Sequence, residues 1–271
     1  MHYTGRKLRC ASFAPVSLVV RRQKNIVANN NLIGHSFEEL AQSLRILLEA
    51  DWRANQGGLL MLDRAEAVGN IETALTSVLN GFHSLYDAIE KQLDTNPIDW
   101  YKLGELATIL AIRNARHHNK ANKIRSLYTY HAQEAENLQH MEQYVLVDYI
   151  TPDDGADTFD VYVSWADLNR LLSMPKKESR INPDTCNVIK EYLNSSKYSK
   201  YATHFELPDS RVFINIVPLI VNAAATIVPL IKQHCSGNST ESAAFSSHFS
   251  SVVKADTHNH DVNCGPFVLP K

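Results

Sequence analysis

The sequence predicts a mainly α-helical fold with a small β appendage, and three observations carry that expectation. Apolar residues return every three to four positions over long stretches, the spacing that lines one face of a helix. These stretches are bracketed by helix-start chemistry or by glycine and proline breaks. Alternation of the kind a half-buried strand shows is confined to residues 144–150 and 158–164.

Residues 1–35 read as a basic, Asn-rich arm: no acidic residue precedes Glu38, and the apolar run at 16–20 amounts to one strand at most. Ser36-Phe37-Glu38-Glu39 forms an N-cap with its capping-box carboxylate, opening a first helix that carries Leu40, Leu44, Leu47 and Leu48 to about Ala54. Past the Gly57-Gly58 break, a second helix from near Asp63 to near Leu93 sets Ala67, Ile71, Leu75, Val78, Phe82, Leu85 and Ile89 on one stripe. Asn96-Pro97 marks a turn, and Asp99-Trp100-Tyr101 leads into a third helix with Leu103, Leu106, Ala107, Leu110 and Ala111 inward. A fourth helix is expected over residues 120–144. The two alternating runs then form a hairpin around Thr151-Pro152-Asp153-Asp154-Gly155, and helical patterns resume at 165–173 and 187–195.

Residues 212–231 form an uncharged run between Arg211 and Lys232 that is long enough to cross a bilayer. Asn215, Pro218, Asn222, Thr226 and Pro229 within it suit a buried, kinked core helix better than a lone lipid-facing span. The core helix is the expectation and a membrane segment the alternative. From Ser236 the composition turns serine-rich, which predicts a flexible tail. The expected organisation is an arm (1–35), a helical domain including the hairpin (36–235) and the tail (236–271).

A net charge of -2 with 21% charged residues excludes a globally basic nucleic-acid coat. Cys10, Cys186, Cys235 and Cys264 are too scattered for a disulfide framework or a zinc knuckle, which points to a reducing cytoplasm. Arg21, Arg22 and Lys24 stop the N-terminal apolar run short of a signal core. There is no Gly-rich phosphate loop, GxSxG or HExxH, so nucleotide hydrolases, serine esterases and the common zinc peptidases lose their usual support. The cluster Asp256-Thr257-His258-Asn259-His260-Asp261 with Cys264 matches no structural zinc pattern, and neither a metal nor a cofactor is expected.

Chemistry concentrates at the end of the third helix. Between Leu106 and Gln133 there is no Asp or Glu, while Arg113, Arg116, Lys120, Lys123 and Arg125 occur there with His117, His118 and His131. On a chain of net negative charge this is a local anion site. Metal-free RNA cleavage needs a base for the ribose 2'-hydroxyl, an acid for the leaving 5'-oxygen and a cation for the phosphorane. Histidine serves as base or acid near neutral pH, and the arginine fork matches two phosphate oxygens.

Arg113-Asn114, a short spacer and His118, placed after a long apolar helix, resemble the signature of the HEPN ribonucleases. The resemblance implies a HEPN-like helical bundle and a metal-independent endoribonuclease, with Arg113 and His118 catalytic and Asn114 orienting them. It also implies a homodimer whose two motifs meet across a two-fold axis, RNA as substrate, a toxin or phage-defence role, and an antitoxin or other inhibitory protein. Arg116, His117, Lys120, Lys123 and Arg125 are then the RNA-phosphate contacts. On a continuous helix five residues turn a side chain by about 140°, so either the helix ends near His117 or a second chain completes the site. His117, at i,i+4 from Arg113, shares its helix face better, whereas the family's spacing favours His118.

Two other readings stay open. One is a non-catalytic module in which the same basic segment holds RNA, a nucleotide or an acidic protein. The other treats Arg113 and Arg116 as surface charges, with His117 and His118 closing a helix at its carbonyl end. Tyr128 and Tyr130 offer stacking faces but read better as buried bundle residues.

Overall fold

The computed structural model describes residues 31–93, 98–134, 142–151, 159–235 and 239–266. The chain divides into units Met1–Asn31 and Leu32–Lys271, and the architecture is that of the second. Nearly all of the expected arm, the turn at Asn96-Pro97 and most of the expected hairpin turn lie outside the described residues.

Helices α1 (Leu32–Asn55), α2 (Leu59–Leu62) and α3 (Arg64–Gln92) follow one another, with α1 packed along α3. Helix α1 starts one turn before Ser36, because Ile33 and Phe37 continue its buried face. The start of α3 is as the sequence predicts: the Asp63 carboxylate accepts from the Glu66 N–H at 2.9 Å. The two long helices approach closely at Gly81, where a Cβ would stand 3.1 Å from the Leu40 backbone.

Helix α4 (Gly104–His117) sits among α3, α8 (Pro183–Tyr192) and α10 (Val217–Ile231). Its first residue lies against Tyr192, whose Cβ would be 2.3 Å from any side chain added at Gly104. Thr108, Ile109 and Ile112 are buried along with the expected Leu106, Ala107, Leu110 and Ala111, so the helix is enclosed on most of its circumference. Burial relents at Arg113, which is where polar residues begin.

The sheet has four strands among the described residues, in the order β2-β3-β1-β4. They are β1 (Gln143–Ile150), β2 (Tyr162–Ser164), β3 (Val212–Asn215) and β4 (Asp256–Pro266). Strand β1 runs parallel to β3, with Leu146 opposite Phe213, and antiparallel to β4, with Leu146 opposite Asn263. Strand β2 lies antiparallel on the other side of β3. The connecting helices are α5 (Leu127–Glu134), α6 (Trp165–Ser173), α7 (Lys176–Ser179), α9 (Tyr198–His204) and α11 (Thr240–Ser251).

Five expectations are corrected. The strands expected to form a hairpin are not partners, because the wholly buried β3 lies between them. Alternation identifies a strand but not its neighbour. The expected fourth helix is only α5, since residues 121–124 carry positive φ and Gln143 and Tyr144 already belong to β1. The uncharged run 212–231 is a strand followed by a helix: Asn215 ends β3, and Pro218 occupies the first turn of α10, where no amide donor is needed. No helix among the described residues is long and apolar enough to cross a membrane.

The serine-rich segment supplies α11 and the edge strand β4 in place of a tail. Ser239 caps α11 by accepting from the Ser242 N–H at 3.1 Å, and the Ser250 and Ser251 hydroxyls donate to carbonyls one turn back. Helix α8 also begins earlier than expected, at Pro183 in place of residue 187.

Candidate functional site at the end of α4

Helix α4 stops at His117, and His118 is its C-cap with φ -95° and ψ 9°; its N–H donates to the Asn114 carbonyl at 3.0 Å. This is the first of the two geometries the motif allowed. The chain then enters a turn in which Ala121, Asn122, Lys123 and Ile124 have φ of 47°, 57°, 59° and 50°. Four successive non-glycine residues in the left-handed region cost about 1–2 kcal/mol each, so the surroundings must hold them there.

The holding is done by residues that the sequence assigned to RNA. Arg116 is ion-paired with Glu72 of α3 and donates to the Ile124 carbonyl at 3.1 Å, with its side chain only 9% exposed. Burial alone would raise the Glu72 pKa; Arg116 with the Ser126 and Thr129 hydroxyls overcomes it and holds the carboxyl below its ordinary value. Beyond the turn, Arg125 forms a two-pronged pair with the fully buried Asp167, Nε to Oδ2 at 2.8 Å and Nη2 to Oδ1 at 3.1 Å. Asp167 also accepts from the Asn122 side chain at 3.1 Å.

Arg116 and Arg125 therefore clamp the turn, each with its guanidinium engaged by a carboxylate of a separate helix. The acids that pair with them come from α3 and α6, far away in sequence, which is why an acid-free segment looked like an open anion site. Lys120 donates through Nζ to the Glu178 carbonyl, while Lys123 is exposed. Tyr128 and Tyr130 are buried, as expected for bundle residues.

Arg113 is treated differently. Nε donates to the Asn80 side-chain oxygen at 3.2 Å and Nη1 to that of Asn114 at 3.0 Å. Two neutral amides thus fix a half-buried guanidinium that no carboxylate contacts directly among the described residues. One turn beyond Asn80 on α3 lies His83, whose Nδ1 is 3.6 Å from Asp87 Oδ2. Burial lowers the His83 pKa below 6.5, the positive charge of Arg113 lowers it further, and Asp87 pulls the other way. His117 and His118 are exposed, with rings 4.9 Å apart at 84°. The His118 pKa is also lowered, by loss of solvation first and then by His117, Arg180, Lys120 and Arg113.

Asn114 also lines a cleft of about 320 Å³ on the side of α7 and α8. Its other lining groups include Tyr101, Lys176, Arg180, Asn182 and Thr185, so two exposed cations and the first turn of α8 share one opening. Such a turn favours an anion through its unpaired amides.

No family model, curated protein or solved structure matches the chain. The chemistry of the site therefore rests on its own residues. They are one fixed cation, two imidazoles whose neutral form is favoured, a third beside them, and an anion-friendly cleft next door.

Asn80, His83, Lys176 and Arg180 escaped sequence reasoning because helix packing, not chain proximity, brings them to the end of α4. The periodicity of the second helix could have found the first two: Asn80 and His83 lie three residues apart among apolar positions. No group of three metal-capable side chains occurs among the described residues. In the His-rich stretch of β4, His260 is half-buried; its Nδ1 is 3.2 Å from the Tyr201 hydroxyl and its Nε2 3.0 Å from the Thr257 carbonyl.

Proposed function

We propose that the chain is a metal-independent endoribonuclease of the HEPN type, acting on RNA as a homodimer through Arg113 and His118. The observation that carries this reading is a guanidinium fixed by Asn80 and Asn114 beside imidazoles whose pKa is pushed down. His118 takes the proton of the ribose 2'-hydroxyl. The 2'-oxygen then bonds to phosphorus as the bond to the 5'-oxygen breaks, and the symmetry-related His118 protonates that leaving oxygen. Arg113 steadies the charge that builds on the phosphoryl oxygens. Asn80 and Asn114 act as positioning residues, since they hold the fork before RNA arrives and cut the ordering cost.

The test is cleavage of single-stranded RNA by purified protein in EDTA. The native protein cuts; His118→Ala, with unchanged thermal unfolding, does not. Retained cutting by that variant removes His118 from the mechanism.

The cleft beside Asn114 favours a second reading, a non-catalytic module that holds RNA or a nucleotide on Lys176, Arg180 and the start of α8. It predicts salt-sensitive binding with no change in RNA length.

A further inference from the structure

A groove of about 390 Å³ between α1, α10 and α11 shares no residue with the site at the end of α4. Leu44, Leu48, Ile220, Phe245 and Phe249 give it an almost wholly apolar wall, with His248 as one polar group. Phe245 and Phe249 stack at 5.7 Å and 18° along α11. At Leu48 and Phe159 the groove opens into a wider cleft of about 890 Å³, lined by Asp51, Trp52, Asn55 and Asp160. Leu48 and Trp52 are 44% and 60% exposed, so an apolar surface leads straight to carboxylates.

Among the described residues, neither carboxylate forms an ion pair with a cation. Asp51 accepts from Asn55 at 2.8 Å. Asp160 and Asp148 share the Asn215 amide, at 2.7 and 3.2 Å. Among the described residues, the titratable groups facing them are Tyr128 on α5, Tyr162 on β2 and Asp261 on β4, and none of the charges acting on the three carboxyls is positive. Burial first, and then Asp160, hold the Asp51 carboxyl up at about 6. A cation from outside would relieve both the repulsion and the burial cost. The exposed Trp52 ring offers a face to a guanidinium.

The two volumes together exceed a typical small-molecule pocket of about 300–1,000 Å³, which favours a polypeptide. We propose that this two-part groove docks a segment of a partner protein carrying a short apolar run followed by one or two arginines or lysines. The apolar run packs on Leu48 and Phe245, and the cations lie over Asp51 and Asp160. Docking expels a proton from Asp51, so it tightens as pH rises through about 6.

The test is fluorescence anisotropy of the full chain with a labelled peptide of four leucine or valine residues followed by two arginines. One control replaces the arginines by glutamates, and another replaces the apolar run by serines. The expected result is binding at pH 7.5 that weakens about tenfold or more in each control and at pH 5. In the double variant Asp51→Asn, Asp160→Asn the preference for arginine over glutamate disappears, and in Phe245→Glu the arginine peptide no longer binds. Circular dichroism confirms that both variants fold, and Phe245→Ser replaces Phe245→Glu if that protein does not. Equal binding of the arginine and glutamate peptides, or no binding at millimolar peptide, overturns the proposal. So does a concentration-dependent dimer that Phe245→Glu dissolves, which would make a second copy of the chain the occupant.

Discussion

At the scale of single residues, three arginines within thirteen positions have different fates because of what meets them. Arg116 and Arg125 meet carboxylates and become structural, whereas Arg113 meets two amide oxygens and keeps its charge available. Replacing Arg113 by lysine keeps the charge but loses the fork between Asn80 and Asn114, and cleavage should fall about a hundredfold or more. Single-turnover rates on one RNA substrate check this. The histidines give a second prediction. The His83 and His118 pKa values lie below 6.5, so the base form of His118 persists to lower pH than free histidine allows. In the proposed mechanism the acid is the same residue on a second copy, and it would lose its proton as pH rises through that lowered value. The rate–pH profile should therefore be a bell with its maximum on the acid side of pH 6.5. A maximum above pH 7.5 contradicts the assignment.

At the scale of elements, the left-handed turn at residues 121–124 explains why the motif sits where it does. The turn redirects the chain away from α4 immediately past His118, which leaves both imidazoles in solvent. Glycine accepts this conformation freely, so Lys123→Gly should stabilise the protein by about 0.5–1 kcal/mol in urea unfolding. Glu72→Ala strands Arg116 in a nearly dry site and should cost about 3–5 kcal/mol.

The start and stripe of α3 were legible in the sequence, because capping and periodicity are local signals, whereas the end of α4 at His117 was one of two geometries left open. The pairing of β1 with β3 and β4 was not legible. Strand partners are chosen by burial across long separations, and the serine-rich composition of α11 hid a helix in which the Ser250 and Ser251 hydroxyls donate to carbonyls one turn back. For the site, residue types were legible but electrostatic partners were not, since Glu72 and Asp167 arrive from other elements.

At the scale of the whole molecule, two regions of opposite electrostatic character stand on one helical body. The end of α4 gathers cations and imidazoles, whereas α1, β1 and β4 contribute Asp51, Asp148 and Asp261, which form no ion pair among the described residues. The acidic region carries a stability prediction. The folded pKa of Asp51, about 6, lies above its ordinary 3.8, so its contribution is fully present below 3.8 and is lost as pH rises through about 6. Asp51→Asn mimics the protonated form; it should stabilise the protein by about 1–2 kcal/mol at pH 7.5 and leave it unchanged at pH 4, as thermal unfolding of both proteins would show.

The basic region carries the central claim, and the chemistry of the RNA ends tests it most directly. After incubation in EDTA, mass spectrometry of the fragments should find 2',3'-cyclic phosphates facing 5'-hydroxyls, with both absent for His118→Ala. Intact RNA, or fragments bearing 5'-phosphates, would contradict an attack by the ribose hydroxyl at this site.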